Sequence, residues 1–168
     1  VLEHLAELWE EERDRVEEIG DQMSERLQSV AASEEPGGEL DATPLRNGLQ
    51  YWKKQFDERH GGFGQSPKFP PSMQLRALLH VADREEIAED DSERAVEMVE
   101  TTLARMASGG MYDQIGGGFH RYSVDDEWLV PHFEKMLYDN AMLTLAYVDG
   151  YRATGRTFYR RIVDETLG

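Results

Sequence analysis

Apolar residues return at steps of three and four along most of the chain. Over residues 2–30, Leu5, Leu8, Trp9, Val16, Ile19, Met23, Leu27 and Val30 recur between charged positions, which predicts one amphipathic connecting helix within residues 1–32. The run SEEPGGE at 33–39 breaks the pattern with a proline and two glycines and reads as a linker over 33–42. Thr43 ahead of Pro44 opens a second helix, with Leu45, Leu49, Trp52 and Phe56 on one side until His60-Gly61-Gly62 stops it. Ser72 is expected to cap a third helix to about Ala82. Asp91 or Ser92 opens a fourth, carrying Ala95, Val96, Val99, Leu103 and Met106 and ending at Gly109-Gly110. A fifth is expected from His132 to about Arg152 and a sixth from about Phe158. No stretch alternates convincingly with period two, so the predicted class is all-α.

The pattern also repeats. Gly-Gly-Phe stands at Gly61 to Phe63 and again at Gly117 to Phe119, 56 residues apart, each time followed by an irregular loop, proline and a helix. That spacing accommodates two helices with their connections, and repeated helix pairs predict a solenoid or a closed ring. Loops 61–71 and 111–131 should then lie at one end of the helix array.

Charge narrows the partners. The 168 residues carry 34 Asp+Glu against 18 Lys+Arg, a formal net charge of −16. Such a surface repels a phosphate backbone, so no nucleic-acid partner is expected. No basic-then-apolar leader or membrane-length apolar run occurs in the sequence, and a soluble, cytoplasmic chain without a membrane partner is the expectation. With no cysteine, disulfides, thiolate metal sites and cysteine nucleophiles are excluded within these residues. Only four basic residues are lysines, Lys53, Lys54, Lys68 and Lys135, and scarce lysine under excess acid suggests a halophilic setting. In molar salt the Debye length falls to about 3 Å. The melting temperature is therefore expected to rise between dilute buffer and molar KCl; an unchanged or lower value would count against this reading.

Candidate chemistry concentrates between Tyr112 and Asn140. His120 and His132 are the natural acid–base candidates, since imidazole titrates near neutrality, and Asp113, Asp125 and Glu134 could orient them or act as paired carboxylates. If the fifth helix starts at His132, then His132, Lys135 and Asp139 share one face, with His132 in the first turn beside free N–H groups. Arg121, Lys135, Asp139 and Asn140 could bind hydroxyls. Phe63, Tyr112, Tyr122 and Trp128, with Phe119, offer flat faces for a sugar ring, and Lys68 could reach the same cavity. Surface ions, core-edge aromatics and cap residues are the structural alternatives for each. A metal set of His120, Asp125, His132 and Glu134 is possible in residue type, but its spacing matches no known signature, so no metal or cofactor is expected. The glycines form no phosphate loop, because Gly62 to Gly64 follow a helix and no Gly-Lys-Ser/Thr is present.

The stretches GGFGQSPKFP (61–70) and GGMYDQIGGGFHRYSVDDEWLVPHFEKMLYDN (109–140) together resemble the spermatogenesis-associated thioredoxin-domain (YyaL-type) family. The resemblance implies an (α/α)6 toroid similar to N-acylglucosamine 2-epimerases and six-hairpin glycosidases. Residues 43–168 would then form its first hairpins, working with a thioredoxin-like domain that these residues do not include. In that type of toroid the loops entering the inner helices line the pocket mouth. Two functions stay open. One is carbohydrate acid–base chemistry, either epimerase/isomerase-like with the two histidines or glycosidase-like with carboxylates such as Asp113 and Asp125. The other is a non-catalytic binding or scaffold module. A partial ring is also expected to leave faces such as Met136, Leu137, Leu143, Leu145 and Val148 short of cover, which favours self-association.

Overall fold

A computed structural model describes residues 8–32 and 41–168. The expected linker at 33–39 and the start of the first helix lie outside the described residues. Two compact units divide at Asp41. In the first, a helical stretch at 8–11 leads into α1 (Arg13–Ala32), which carries exposed pairs such as Arg13 with Glu17.

The second unit, Ala42–Gly168, contains α2 (Thr43–Gln55), α3 (Ser72–Ala82), α4 (Glu89–Ser108), α5 (Leu137–Thr154) and α6 (Thr157–Leu167). No strand occurs among the described residues; isolated bridges between loops are the only β pairing there. The fold is all-α, helical hairpins forming the first part of an (α/α)6 toroid. α3 packs on both α4 and α5, and α6 folds back on α5. Leu75, Leu78, Met98, Leu103, Leu143, Tyr147 and Ile162 fill the shared core. Fully burying a Leu or Met side chain contributes about 1.5–3 kcal/mol, which is why the i, i+3, i+4 positions decide how these helices turn. Gly150 lies where α5 crosses α4: a β-carbon there would stand 2.8 Å from Leu103 Cδ1.

The helix starts differ from the sequence expectation in four places. Ala42 precedes α2 and Pro71 precedes α3, so Thr43 and Ser72 are first helical residues and not the N-cap residues. α4 begins at Glu89, placing three carboxylates in its first turn, where the helix dipole favours them. The fifth helix starts at Leu137, five residues after His132. Residues 131–134 stay outside the helix because their backbone pairs with the preceding loop: His132 N–H donates to Tyr122 O, and Arg121 N–H to Glu134 O. His132, Lys135 and Asp139 therefore do not share a helix face, and His132 is not in a helical first turn.

Loops 61–71 and 111–131 lie side by side at one end of the array, since Lys68 and Ser123 exchange both backbone hydrogen bonds and Trp128 Nε1 donates to His60 O. α3 and α5 are entered from that end. Of the faces expected to lack cover, Leu143 is instead buried, while Leu137 is 88% exposed and Leu145 is also exposed.

Candidate functional site

The loop end is built from one local device used twice. Asp57 and Asp113, 56 residues apart, each close a tight turn. Gly61 N–H donates to Asp57 O and Gly117 N–H to Asp113 O; the Asp57 and Asp113 N–H groups return to Gly62 O and Gly118 O. Each carboxylate also accepts two loop N–H groups, from Arg59 and His60 in the first copy and from Ile115 and Gly116 in the second. The glycine pairs sit at φ of 71° and 79°, then 71° and 78°, a left-handed conformation that glycine adopts without a β-carbon clash. A lysine ties each knot. Lys68 Nζ reaches Asp57 Oδ2 at 2.5 Å and Gly61 O at 3.0 Å; Lys135 Nζ reaches Asp113 Oδ2 at 2.6 Å and Gly117 O at 2.7 Å.

On this frame stands a row of stacked groups. The Arg121 guanidinium lies between Tyr138, 5.1 Å from the ring centre, and Phe69, at 5.0 Å. Phe69 meets Tyr122 at 4.8 Å, and Tyr122 stacks on His132 at 4.7 Å with ring planes 24° apart. Arg121 Nη1 donates to both Asp139 carboxylate oxygens, at 2.8 and 3.0 Å, which holds the guanidinium flat in the row. Phe69 and Tyr138 are each about half exposed, at 50% and 51%, so the ladder presents π-faces and edges to solvent.

The other expected ligand-facing groups are placed differently. Trp128 is fully buried beneath the first knot, and Tyr112 and Phe119 are buried against each other and Tyr147, so none of these three offers an open face. Phe63 is half-buried with its ring against Phe56. Lys68 is neither in a cavity nor in solvent: it is buried on Asp57, Gly61 O and Asp126 O. Asn140 spans the second loop, accepting from Phe119 N–H and donating to Phe119 O and Met136 O. Asp125 accepts the N–H groups of Glu127, Leu129 and Val130 and the Ser123 hydroxyl. Glu134 is exposed, 4.0 Å from His132 Nδ1. Among the described residues no hydrogen bond joins His120 to His132 or to a carboxylate; its ring stands edge-on to Phe133 at 5.2 Å, with Nδ1 buried and unpartnered. Phe69 and Tyr138 have no assigned role in the sequence reading, and only the SPKFP turn and the proximity of Tyr138 to Asp139 hint at them.

Electrostatics separates the groups. Burial, together with the charge of Lys135, lowers the His120 pKa against the opposing pull of Asp113, so its imidazole is neutral at pH 7. Asp113 is held well below the carboxylate range by the Gly116 N–H, Lys135 and the Ile115 N–H. For Asp125, burial pushes up but the Leu129, Val130 and Glu127 N–H groups outweigh it. Both carboxylates are thus ionised and saturated with donors, a state suited to bracing loops more than to protonating a leaving group. No group of three His, Asp or Glu side chains among the described residues is arranged to hold a metal ion.

No family model matches the chain. It is 38% identical over 172 residues to spermatogenesis-associated protein 20 of Homo sapiens, covering 99% of this chain and 22% of that protein. The mouse protein of the same name is 41% identical over 119 residues, or 71% of this chain and 15% of that one. An uncharacterized protein of Caenorhabditis elegans is 38% identical over 161 residues, 93% of this chain and 21% of that protein. The chain therefore spans about a fifth of these relatives. Among solved structures, a sugar epimerase from a ruminal bacterium superposes with a TM-score of 0.59 at 17% identity, over 76% of this chain and 36% of the epimerase. At that identity the likeness is one of fold.

Proposed function

Because this chain is homologous to a segment of spermatogenesis-associated protein 20 and has the fold of the opening hairpins of an epimerase-type toroid, we propose that it forms one wall of a carbohydrate site. The ladder Tyr138, Arg121, Phe69, Tyr122, His132 carries the reading. Its half-exposed rings suit the apolar face of a sugar, while Arg121 and Asp139 offer a donor and an acceptor to hydroxyls.

The reaction proposed is isomerase- or epimerase-like. A neutral histidine takes a proton from the carbon next to the sugar carbonyl, leaving an enediolate; the second histidine, protonated, returns one. His132, at the solvent end of the ladder, and His120, kept neutral by its surroundings, are the two proton carriers. The hydrolytic version draws no support from Asp113 and Asp125, whose oxygens are committed to loop N–H groups and, in Asp113, to Lys135. That same commitment favours the second reading, a binding module of the longer protein, in which the ladder holds a ligand without turnover.

The test uses the full-length protein with a panel of aldoses, ketoses and N-acylated aminosugars. Phe69→Ala is expected to weaken binding roughly tenfold, in line with about 0.5–1.5 kcal/mol for an aromatic pair beyond its buried area. His132→Ala should leave binding within about threefold and abolish deuterium incorporation from D2O. Turnover should fall on acidification with an apparent pKa below 6.5, because the lowered pKa of His120 keeps its base form to lower pH. Binding without exchange would establish the module reading, and no binding to any sugar would sink both.

A further inference from the structure

The two knots are chemically alike but differently covered. Over Lys68 lies the loop of the following repeat: Asp126 O accepts its third N–H, the Trp128 ring stands 5.6 Å from Nζ, and Trp128 Nε1 donates to His60 O in the turn itself. Lys135 gives two N–H groups to Asp113 and Gly117 O, and its side chain is more than a third exposed. Around it Ile115, Phe133 and Leu137 are 100%, 82% and 88% exposed. Large apolar side chains this open, next to an ammonium with two of its three N–H groups served, mark an interface.

We infer that the second knot is the seat of the next Gly-Gly loop of the full-length protein, which lays a backbone carbonyl and an aromatic ring on Lys135 as residues 126–128 do on Lys68. Four observations select this occupant. The first copy shows the covered form of the same device. Its covering residues, Asp126 and Trp128, come 69 and 71 residues after Asp57, and the same spacing after Asp113 falls beyond Gly168. The relatives are about five times longer than this chain, which gives them the residues to do it. The match at Gly116, which stands where His60 stands in the first copy, places its carbonyl to accept the aromatic N–H. The inference rests on the fold and the internal repeat, independently of the sugar reading.

The test is reductive methylation of the full-length protein with formaldehyde, read for each lysine by mass spectrometry against the urea-unfolded protein, alongside hydroxyl-radical oxidation of Phe133 and Leu137. Lys135 should be methylated at least tenfold more slowly than in the unfolded state, as Lys68 is, while Lys54 reacts near the unfolded rate. Phe133 and Leu137, which have no ion pair to slow them, should be protected at least fivefold. Lys135 reacting like Lys54, or Phe133 and Leu137 oxidised at the unfolded rate, would overturn the inference. So would protection that grows with protein concentration, which assigns the face to a second copy, or protection that needs added sugar, which assigns it to ligand.

Discussion

Replacing Lys68 with methionine is expected to destabilise the Ala42–Gly168 unit by about 3–5 kcal/mol, the usual cost of removing one partner of a buried ion pair. In a unit of this size that corresponds to a fall in Tm of roughly 10–20 °C. The ammonium is buried and serves three acceptors from two loops, so its loss strands the Asp57 carboxylate together with the carbonyls of Gly61 and Asp126. The pH dependence identifies the cause. Burial pushes the Asp57 pKa up, but the Lys68 hydrogen bond, the His60 and Arg59 N–H groups and the Lys68 charge together hold it below the ordinary 3.8. A folded-state pKa below the unfolded one stabilises above the unfolded value, and that stabilisation is lost as pH falls through the folded pKa. Without Lys68 the burial acts with less opposition and Asp57 protonates at higher pH. The gap between wild type and variant measured by urea unfolding should therefore narrow below about pH 4. A second substitution, Asp57→Asn, should recover part of the loss, leaving the two carbonyls unserved. A Lys68→Met protein as stable as wild type across this range would remove the knot from the energetics of the fold.

The helical class and the core faces were legible in the sequence because they rest on period 3.6, a property of neighbouring residues. α3 forms at 72–82, where its pattern lies, and Leu103 and Met106 are buried as their spacing requires. The start of α5 was not legible. Pro131 is followed by residues able to form a helix, but long-range pairing of 121–123 with 131–134 claims their backbone, and no local signal announces a partner loop.

The candidate site was half legible for a similar reason. A composition rich in Tyr, His, Asp and Trp marks the right loops yet cannot say which side chains point inward. Trp128 fills the space over Lys68, Asp125 braces its own loop, and the exposed row passes to Phe69 and Tyr138. The repeat itself extends further than Gly-Gly-Phe. Phe56-Asp57 followed by Gly61-Gly62-Phe63 matches Tyr112-Asp113 followed by Gly117-Gly118-Phe119 over eight positions, and reading that longer echo points to Asp57 as the partner of a lysine.

Alanine in place of Gly117 is expected to cost about 2–5 kcal/mol, from two separable sources. At φ 71° an L side chain carries left-handed strain of roughly 1–2 kcal/mol. The added β-carbon also falls within contact of the Glu165 carbonyl oxygen in the last turn of α6, a backbone atom that cannot rotate away. Overpacking of that kind adds about 1–3 kcal/mol. Relief requires α6 to move outward, which breaks the 2.6 Å bond from the Tyr112 hydroxyl to Glu165 and loosens Tyr159 and Ile162 in the core. Gly64 supplies the control: its φ is 76°, but a β-carbon added there would meet nothing within 4 Å, so Gly64→Ala should cost the strain alone. Equilibrium unfolding of both variants measures the difference, and loss of hydrogen-exchange protection confined to α6 in Gly117→Ala locates it. Equal costs at the two sites would mean that α6 does not press on the second Gly-Gly turn, and the close seating of each turn against a helix of the following hairpin would have to be abandoned.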